Sequence, residues 1–480
     1  MMLLQMHLRS TARLVLPPNL RASLVRAYFR LESVLKGSLS KRFERRPVQI
    51  SEYVPAFALR DFGNGPIVLV NAGLGPGGVE RQIVNTLSAI EPRAGRKVGL
   101  LCLSLGADPE LIFFLPALAR FSGFIRNAAS VPDAYRMLSS LVSRPELRRI
   151  KRQIAWMPWD IREEIVRLAA EFAQLKPAVV HGWQDGCAIP AAYAARIVGV
   201  PRILISMRNV RPTNFIWYRP YMYHAYRELA QCPEVTLVNN SEAGAIDYAR
   251  WLDLPADRFI VKRNGLDFSA IRRADRHRVA ALRARFAIPP DAPVVGSMHR
   301  LNEEKRPLLW IETAREIADR LPECRFVMFG SGMMRKDVEA AIAAHGLQRH
   351  VHCAEPIEDA ALGLSLFDVF LLTSRAEGTP NVLLEASALG IPVVVTDSGG
   401  SREAVEDGVT GYVVASADPT AIAERVLDIL QAPEWRASVR TAGPAFIERR
   451  FGLDRMIAET LALYGLPAHA AGSASAASAG

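Results

Sequence analysis

This chain of 480 residues has little that would support disulfide, membrane-spanning or metal chemistry. Its five cysteines, Cys102, Cys187, Cys232, Cys324 and Cys353, are scattered and include no C-x-x-C pair. That excludes a disulfide framework and fits buried thiols in a reducing compartment. No apolar run approaches the roughly 18–20 residues that cross a bilayer. The opening M-M-L-L-Q-M-H-L-R-S places its apolar stretch ahead of its first positive charge and makes a poor secretion signal. A cytoplasmic protein is expected. His350, His352 and Cys353 lie close together but no further ligand run follows, so neither a metal nor a cofactor is expected.

What the chain does carry is positive charge, unevenly spread. Residues 1–46 hold ten Lys/Arg against Glu32 and Glu44, which is +8 of the net +10 and leaves +2 for the rest. After Pro17-Pro18, Asn19 is placed to cap a helix with Leu20, Leu24, Tyr28, Leu31 and Leu35 on one side. Such a basic amphipathic helix reads either as an anionic-membrane contact or as a helix packed on the fold with solvated arginines. Nucleic acid is not an expected partner, because stacking aromatics are not interleaved with the basic residues. A chain of this length and 50% hydrophobic content supports two or three domains.

The chemistry concentrates in residues 374–400, S-R-A-E-G-T-P-N-V-L-L-E-A-S-A-L-G-I-P-V-V-V-T-D-S-G-G. An apolar strand over 367–373 leads into a polar loop, then a helix with Thr379 as N-cap and Pro380 at its first position, then a strand over 391–396. In open parallel sheets, ligands sit at the carboxyl ends of the strands, where helix N-termini offer unpaired N–H groups to an anion. Glu377 precedes the helix and Glu385 lies within it, roughly 7 Å along the axis from Pro380 at about 1.5 Å per residue. Two carboxylates so placed suit a ligand with hydroxyls on both sides of a diphosphate.

A second strand-to-helix loop, after a strand over 293–297, carries Arg300 and Lys305, with Pro307 opening the next helix. Arg as a planar fork and Lys as a point charge together make a phosphate site. Near the other end, the strand P-I-V-L-V-N runs into A-G-L-G-P-G-G-V-E-R. Gly73-x-Gly75-x-x-Gly78 fits a dinucleotide fingerprint literally. The strand over 98–103 ends in Ser104, however, where that fingerprint wants an acidic ribose partner.

Taken together, these segments resemble family 4 retaining glycosyltransferases of GT-B fold. Glu377-x7-Glu385, with Gly378, Thr379, Pro380 and Asn381 between, is similar to that family's donor signature. Arg300 and Lys305 match its R-L-x-x-x-K, Gly330-Ser331-Gly332 its G-x-G, and Gly77-Gly78-Val79-Glu80-Arg81 its G-G-x-E-R. The resemblance is close over 290–430 and loose over 60–270. It implies two Rossmann-like doubly wound α/β domains facing across a cleft. Glu377 would approach the donor sugar, Glu385 hold the ribose, and Arg300 and Lys305 neutralise the diphosphate. The stretch Gly77-Gly78-Val79-Glu80-Arg81 would lie against the donor's phosphate and sugar from the opposite side of the cleft. His181, ending a buried strand, falls where the family has a His beside the cleft. Arg208 falls where many members have His, and with Asn209 and Arg211 it is an acceptor-side candidate, an Arg being unable to act as a base near neutral pH. Glu355 stands where the family has Gly near the base. Asn239-Asn240-Ser241 and Asn264-Gly265-Leu266-Asp267 read as turn chemistry that marks the fold.

The expected organisation is a basic arm over 1–47, an acceptor-side domain over 48–268, a linker over 269–290 and a nucleotide-sugar domain over 291–445. A helix over 446–466 would cross back to the first domain, and a low-complexity tail would occupy 467–480. Helical stretches are expected over 109–122, 131–143 and 159–175, a helix from Ser401, and breaks at Gly443-Pro444 and Gly452. The expected function is metal-independent transfer of a sugar from a UDP- or GDP-sugar to a glycan or polyprenyl-diphosphate-linked acceptor in bacterial polysaccharide synthesis. No D-x-D occurs in the chain. Two alternatives stay open: a GT-B sugar-nucleotide epimerase and a non-catalytic sugar-nucleotide-binding protein.

Overall fold

A computed structural model describes residues 62–106, 112–157 and 159–467. The arm expected over 1–47 lies outside the described residues, as does the tail expected over 467–480 apart from its first residue.

The first lobe is a seven-stranded sheet of β1 (Ile67–Asn71), β2 (Val98–Cys102), β3 (Phe124–Asn127), β4 (Val179–Trp183), β5 (Ile203–Met207), β6 (Val235–Asn239) and β7 (Phe259–Val261). Its order is β3-β2-β1-β4-β5-β6-β7, parallel throughout. Central strands such as IVLVN and ILISM are buried at every position, as a parallel sheet covered on both faces requires. The covering helices are α1 (Gly78–Ile90), α2 (Val131–Leu141), α3 (Arg144–Trp156), α4 (Arg162–Leu175), α5 (Asp185–Val198), α6 (Tyr221–Leu229) and α7 (Glu242–Leu252). A linker helix, α8 (Arg276–Arg285), leads to the second lobe.

The second sheet is β8 (Val294–Met298), β9 (Arg325–Phe329), β10 (Val351–Ala354), β11 (Val369–Leu372), β12 (Val393–Thr396) and β13 (Gly411–Val414), in the parallel order β10-β9-β8-β11-β12-β13. Its helices are α9 (Pro307–Arg320), α10 (Arg335–Ala344), α11 (Ala360–Ser365), α12 (Asn381–Ala388), α13 (Pro419–Gln431) and α14 (Pro433–Phe451). The last helix, α15 (Leu453–Leu463), returns to the first lobe. The return is clamped where Leu266 N donates to Phe451 O at 2.7 Å and Leu453 N to Leu266 O at 3.1 Å. Met456, Ile457 and Leu461 of α15 then join Ile83 and Leu87 of α1 and Trp183 of β4 in one core. Strand order reverses once in each sheet, between β1 and β4 and between β8 and β11. Those two switch points are where parallel sheets open crevices for ligands.

Several local expectations need correction. Helix α12 begins at Asn381, and Pro380 before it is extended at φ −68°, ψ 121°. Thr379 does not cap the helix, because its hydroxyl donates to Asn240 O at 2.9 Å in the other lobe. The stretch from Ser401 is only a 3₁₀ turn over Arg402–Ala404. Within the stretch 109–122, residues 109–111 lie outside the described ones and a short 3₁₀ helix spans Leu115–Leu118. Strand β3 and helix α3, the latter opened by a Ser143–Glu146 capping box, occupy segments the sequence left unassigned. Pro444 does not break α14. Gly443 there packs against the Ser387 carbonyl, 2.7 Å from where a Cβ would stand, so contact with α12 holds the helix together across the proline.

Candidate functional site

Both switch points are closed by side chains of the loops that follow their strands. At the first, β1 ends in Asn71 and its loop turns into α1 at Gly77, which is extended. Glu80 folds back over Gly77, so a Cβ there would stand 2.0 Å from Glu80 Oε2. Glu80 Oε1 accepts from Asn71 Nδ2 at 3.3 Å and from Gln184 Nε2 at 3.1 Å. Gln184 follows β4 with φ +62° and ψ 147°, a region that side-chain-bearing residues rarely adopt. Strain of this kind persists only where the surroundings fix it, and here it turns the Gln184 amide onto Glu80.

At the second switch point, the loop after β8 carries Arg300 and Lys305 and the loop after β11 carries Glu377. Lys305 Nζ and Glu377 Oε1 form an ion pair, with Glu377 almost fully buried. Ser398 O and the Gly400 amide bracket the Glu377 backbone at 2.7 and 3.1 Å. Arg300 is exposed, and no ion-pair partner of its guanidinium occurs among the described residues. Its loop is braced by the Gly330-Ser331-Gly332 turn, where Leu301 N donates to Ser331 O at 2.8 Å. Any Cβ at Gly330 would meet His299 O at 2.0 Å, and one at Gly332 would meet Leu301 O at 2.5 Å. His299 Nδ1 contacts Arg300 O at 3.0 Å, and burial pulls this imidazole down to about 4, so it is neutral at physiological pH.

The lobes meet where α1 and α12 begin. Asn381 Nδ2 donates to Gly78 O at 2.7 Å, and Asn381 Oδ1 accepts from Asn264 Nδ2 at 2.7 Å and Gln82 Nε2 at 3.2 Å. Asn264 Nδ2 also reaches Thr379 O at 2.9 Å. Gly378 lies so close to the first lobe that a Cβ would stand 2.4 Å from both Arg208 O and Asn240 Oδ1. One turn into α12, Glu385 is buried and pairs with Arg81 from the other lobe. Burial pushes the Glu385 carboxyl up while Arg81 pulls against it. The face of Phe114 lies 5.6 Å from the Arg81 guanidinium. Two helix N-termini, two cations and two carboxylates therefore converge on one seam.

Of the other expected site residues, Arg208 borders the seam through Asn264, whereas His181, Asn209 and Arg211 fall elsewhere. His181 is fully buried, with Nδ1 2.7 Å from the Tyr464 hydroxyl and its ring 4.8 Å from that of Trp183. Docking of α15 covers it, and burial holds its pKa well below the ordinary value. It is a packed neutral imidazole in this structure, not a group open to the cleft. Arg208 is buried 4.8 Å from the Trp183 ring centre and donates to Asn264 Oδ1, leaving Nε and Nη1 without partners. Burial lowers it to about 9. Arg211 does not join it, because Asp247 holds it at 3.8 Å through the side chain and 2.8 Å through the backbone. Asn209 Oδ1 accepts from the next residue's amide at 3.2 Å, which ties its side chain into its own loop. Glu355 is exposed and pairs with Arg335 at 3.1 Å.

Gln82, Gln184, Asn240, Asn264 and His299 also line this region, and the sequence marks none of them as a ligand-side residue; Arg81 is expected only as part of the Gly77–Arg81 stretch. The adjacency of Glu80 and Arg81 to two glycines at a strand-to-helix turn was the signal available. The asparagines gave only turn chemistry.

Residues 279–446 match the model of the family described as glycosyl transferases group 1. Over 412 residues the chain is 27% identical to a Vi polysaccharide biosynthesis protein VipC/TviE of Salmonella typhi, covering 82% of this chain and 70% of that one. It is 34% identical over 184 residues to a GDP-mannose-dependent alpha-(1-6)-phosphatidylinositol monomannoside mannosyltransferase of Mycolicibacterium smegmatis, covering 36% of this chain and 47% of the relative. Among solved structures, Anabaena Alr3699/HepE in complex with UDP and glucose superposes with a TM-score of 0.65 at 19% identity, covering 83% of this chain and 99% of that one. Sucrose-phosphate synthase of Thermosynechococcus elongatus superposes with a TM-score of 0.64 at 18% identity, covering 84% and 98%. At such identities the likeness shows the fold, which is GT-B.

The Arg81–Glu385 pair yields a pH test. In Arg81→Ala, Glu385 loses the cation that opposes its upward shift. An acid whose folded pKa is raised contributes stability below its unfolded pKa and loses it as pH rises through the folded pKa. The variant's deficit in urea unfolding should therefore be small at pH 4 and grow to about 1–3 kcal/mol at pH 8. That is less than the 3–5 of a fully buried pair, because the Arg81 side chain is 36% exposed. A deficit independent of pH would contradict the assignment.

Proposed function

We propose that this chain, whose residues 279–446 match the glycosyl transferases group 1 family, moves a sugar from a nucleotide-sugar donor held at the seam to a glycan or lipid-linked glycan acceptor. The observation that carries this reading is the convergence of Lys305, Arg81 and the opening turns of α1 and α12 with Glu377 and Glu385, with Arg300 exposed on the same loop as Lys305. A diphosphate is the ligand group that unpaired helix N–H groups and cations attract. The carboxylates, one on either side, accept hydrogen bonds from sugar hydroxyls. Glu385 faces the ribose, and Glu377, next to Lys305, faces the transferred sugar. As the bond from the anomeric carbon to the diphosphate oxygen loosens, the acceptor hydroxyl oxygen bonds to that carbon on the same face, its proton passes to the departing diphosphate, and negative charge grows on the leaving group in between. Arg300, Lys305 and the α12 N–H groups stabilise it, the preorganised electrostatic form of catalysis. No side chain need become covalently attached, and the anomeric configuration is retained.

The two ion pairs fit this sequence of events. Without donor, Lys305 and Arg81 neutralise the carboxylates. With donor, Lys305 turns to the phosphate and the carboxylates to hydroxyls. A nucleotide-sugar donor is supported by the UDP in the HepE complex, and a polysaccharide acceptor by the name of the Salmonella relative. Epimerisation, left open by the sequence, draws no support from these relatives. Arg208 lies on the acceptor-side lobe with two donors unmet, and we assign it to orienting a substrate oxygen there.

We further propose peripheral contact with the cytoplasmic membrane face. No helix among the described residues is long and apolar enough to cross a membrane. Residues 1–46, outside the described ones, carry +8. Among the described residues, α3 adds exposed Arg144, Arg148, Lys151 and Arg152, and each cation near anionic lipid contributes on the order of 1 kcal/mol.

Lys305→Ala and Arg300→Ala should each weaken binding of the nucleoside diphosphate by about 1.5–3 kcal/mol in calorimetry. Glu385→Ala should weaken it as well, since the ribose is common to donor and product, whereas Glu377→Ala should mainly lower kcat with the complete donor. Equal effects of the two Glu changes on free nucleotide would contradict their separate roles. On the membrane side, liposome binding should rise with anionic lipid and fall with salt, since charges are screened over roughly 8 Å at physiological ionic strength. Deleting residues 1–46 should abolish it. A soluble, active truncation that still binds as well as the full chain would refute the arm's role and leave α3 as the contact.

A further inference from the structure

A second cavity lies away from the seam, on the hinge side of the second lobe. It measures about 910 Å³ and is bounded by the linker with α8 on one side and by residues of α11, α12 and α14 on the other. Ile271, Val279, Ile288 and Leu389 form an apolar wall. Five arginines, Arg272, Arg273, Arg276, Arg283 and Arg440, are among the lining residues, and no Asp or Glu is.

Two of the five arginines are committed to backbone carbonyls. Arg273 donates to Leu389 O at 2.8 Å and Gly390 O at 3.3 Å, and so caps the C-terminal end of α12. Arg283 donates to Pro289 O and Ala292 O at 2.5 and 2.6 Å, but its Nε is buried without a partner. The side chains of Arg272, Arg276 and Arg440 have no hydrogen-bond or ion-pair partner among the described residues. Acids do lie near this region, but they are engaged or at a distance: Asp359 pairs with Arg278 at 2.9 Å and Asp368 with Arg436 at 3.5 Å, while Asp275 caps α8. Like charges gathered round a concavity repel one another unless a counter-charge enters it. The volume falls in the range of small-molecule sites, roughly 300–1,000 Å³.

We propose that this cavity is a second ligand site, taking a small phosphorylated molecule whose phosphate oxygens meet the guanidinium forks and whose organic part lies on the apolar wall. Arg forks match phosphate geometry better than any other side chain. The position gives such a ligand a route to the seam. Arg273 holds the C-terminal end of α12, while the same helix presents Asn381 and Glu385 at and near its other end. The cavity's opposite wall is the linker between the lobes. A ligand here therefore touches both the hinge and the helix that faces α1, so its binding couples to whatever the seam binds. The site does not depend on the seam being a donor site.

Calorimetric titration of the full chain with inorganic pyrophosphate tests it. The wild type should show two binding events. Arg276→Glu/Arg440→Glu should lose one of them by at least tenfold, and Arg300→Ala/Lys305→Ala should lose the other. All four positions are exposed or part-exposed, and an unchanged thermal midpoint establishes that the variants fold. Arg276→Ser alone, at an exposed position, should still weaken the cavity event severalfold. Full retention of both events in the Arg276→Glu/Arg440→Glu variant would overturn the proposal. So would discrimination between that variant and wild type by phosphatidylglycerol vesicles but not by pyrophosphate, which would make the ligand a lipid surface. Loss of no event in Arg300→Ala/Lys305→Ala would instead count against the phosphate role of the seam and leave the cavity untouched.

Discussion

Helices α1 and α12 begin within hydrogen-bonding distance of each other from opposite sheets, with Asn381 Nδ2 on the Gly78 carbonyl at 2.7 Å. The first N–H groups of each helix lack intrahelical partners, so both present partial positive charge to the same place. Like partial charges pointed together are tolerable only where acceptors or an anion lie between them. Here Asn381, Gln82 and Asn264 supply acceptors and donors across the seam. The rest of the architecture can be traced to this constraint. Two parallel sheets each place a βα loop at a switch point, α15 returns to lock the first lobe behind α1, and glycines at 78 and 378 let the lobes approach.

Both carboxylates at the seam are already paired with a cation. A ligand with phosphates and hydroxyls does not create charge there but redistributes it. Lys305 and Arg81 gain phosphate or solvent, while Glu377 and Glu385 exchange a cation for hydroxyl donors. An exchange of this kind costs less than exposing or burying a bare charge, since a buried ion without its partner is destabilised by several kcal/mol. It also explains why two acidic residues can be buried at the seam. In the absence of ligand, neither has to stand as an uncompensated anion.

What was legible in the sequence was what is local. Glu377 and Lys305 are brought together by the loops that follow two neighbouring strands, β11 and β8, and both sheets follow from apolar strands spaced by helices. What was not legible depended on contacts between distant parts of the chain. Asn264 and Asn381 meet across 117 residues, and Asn264 looked like an ordinary turn residue. His181 ends a strand as a cleft histidine would, but Tyr464, 283 residues later, packs over it. Thr379 has the composition of a helix cap, yet the other lobe's Asn240 carbonyl takes its hydroxyl. Strand β3 was missed because it is short and only half covered, and α3 because its exposed arginines hide the apolar period.

The central claim is that the seam transfers a sugar instead of merely holding one. The most direct measurement is a transfer assay on the full chain with radiolabelled UDP- and GDP-sugars and a lipid-linked or free glycan acceptor, followed by assignment of the new anomeric linkage. The account predicts label in the acceptor with the donor's anomeric configuration, and loss of that label in Glu377→Ala. Binding of a nucleotide sugar with no transfer to any acceptor, or its conversion to an epimer without an acceptor, would contradict it.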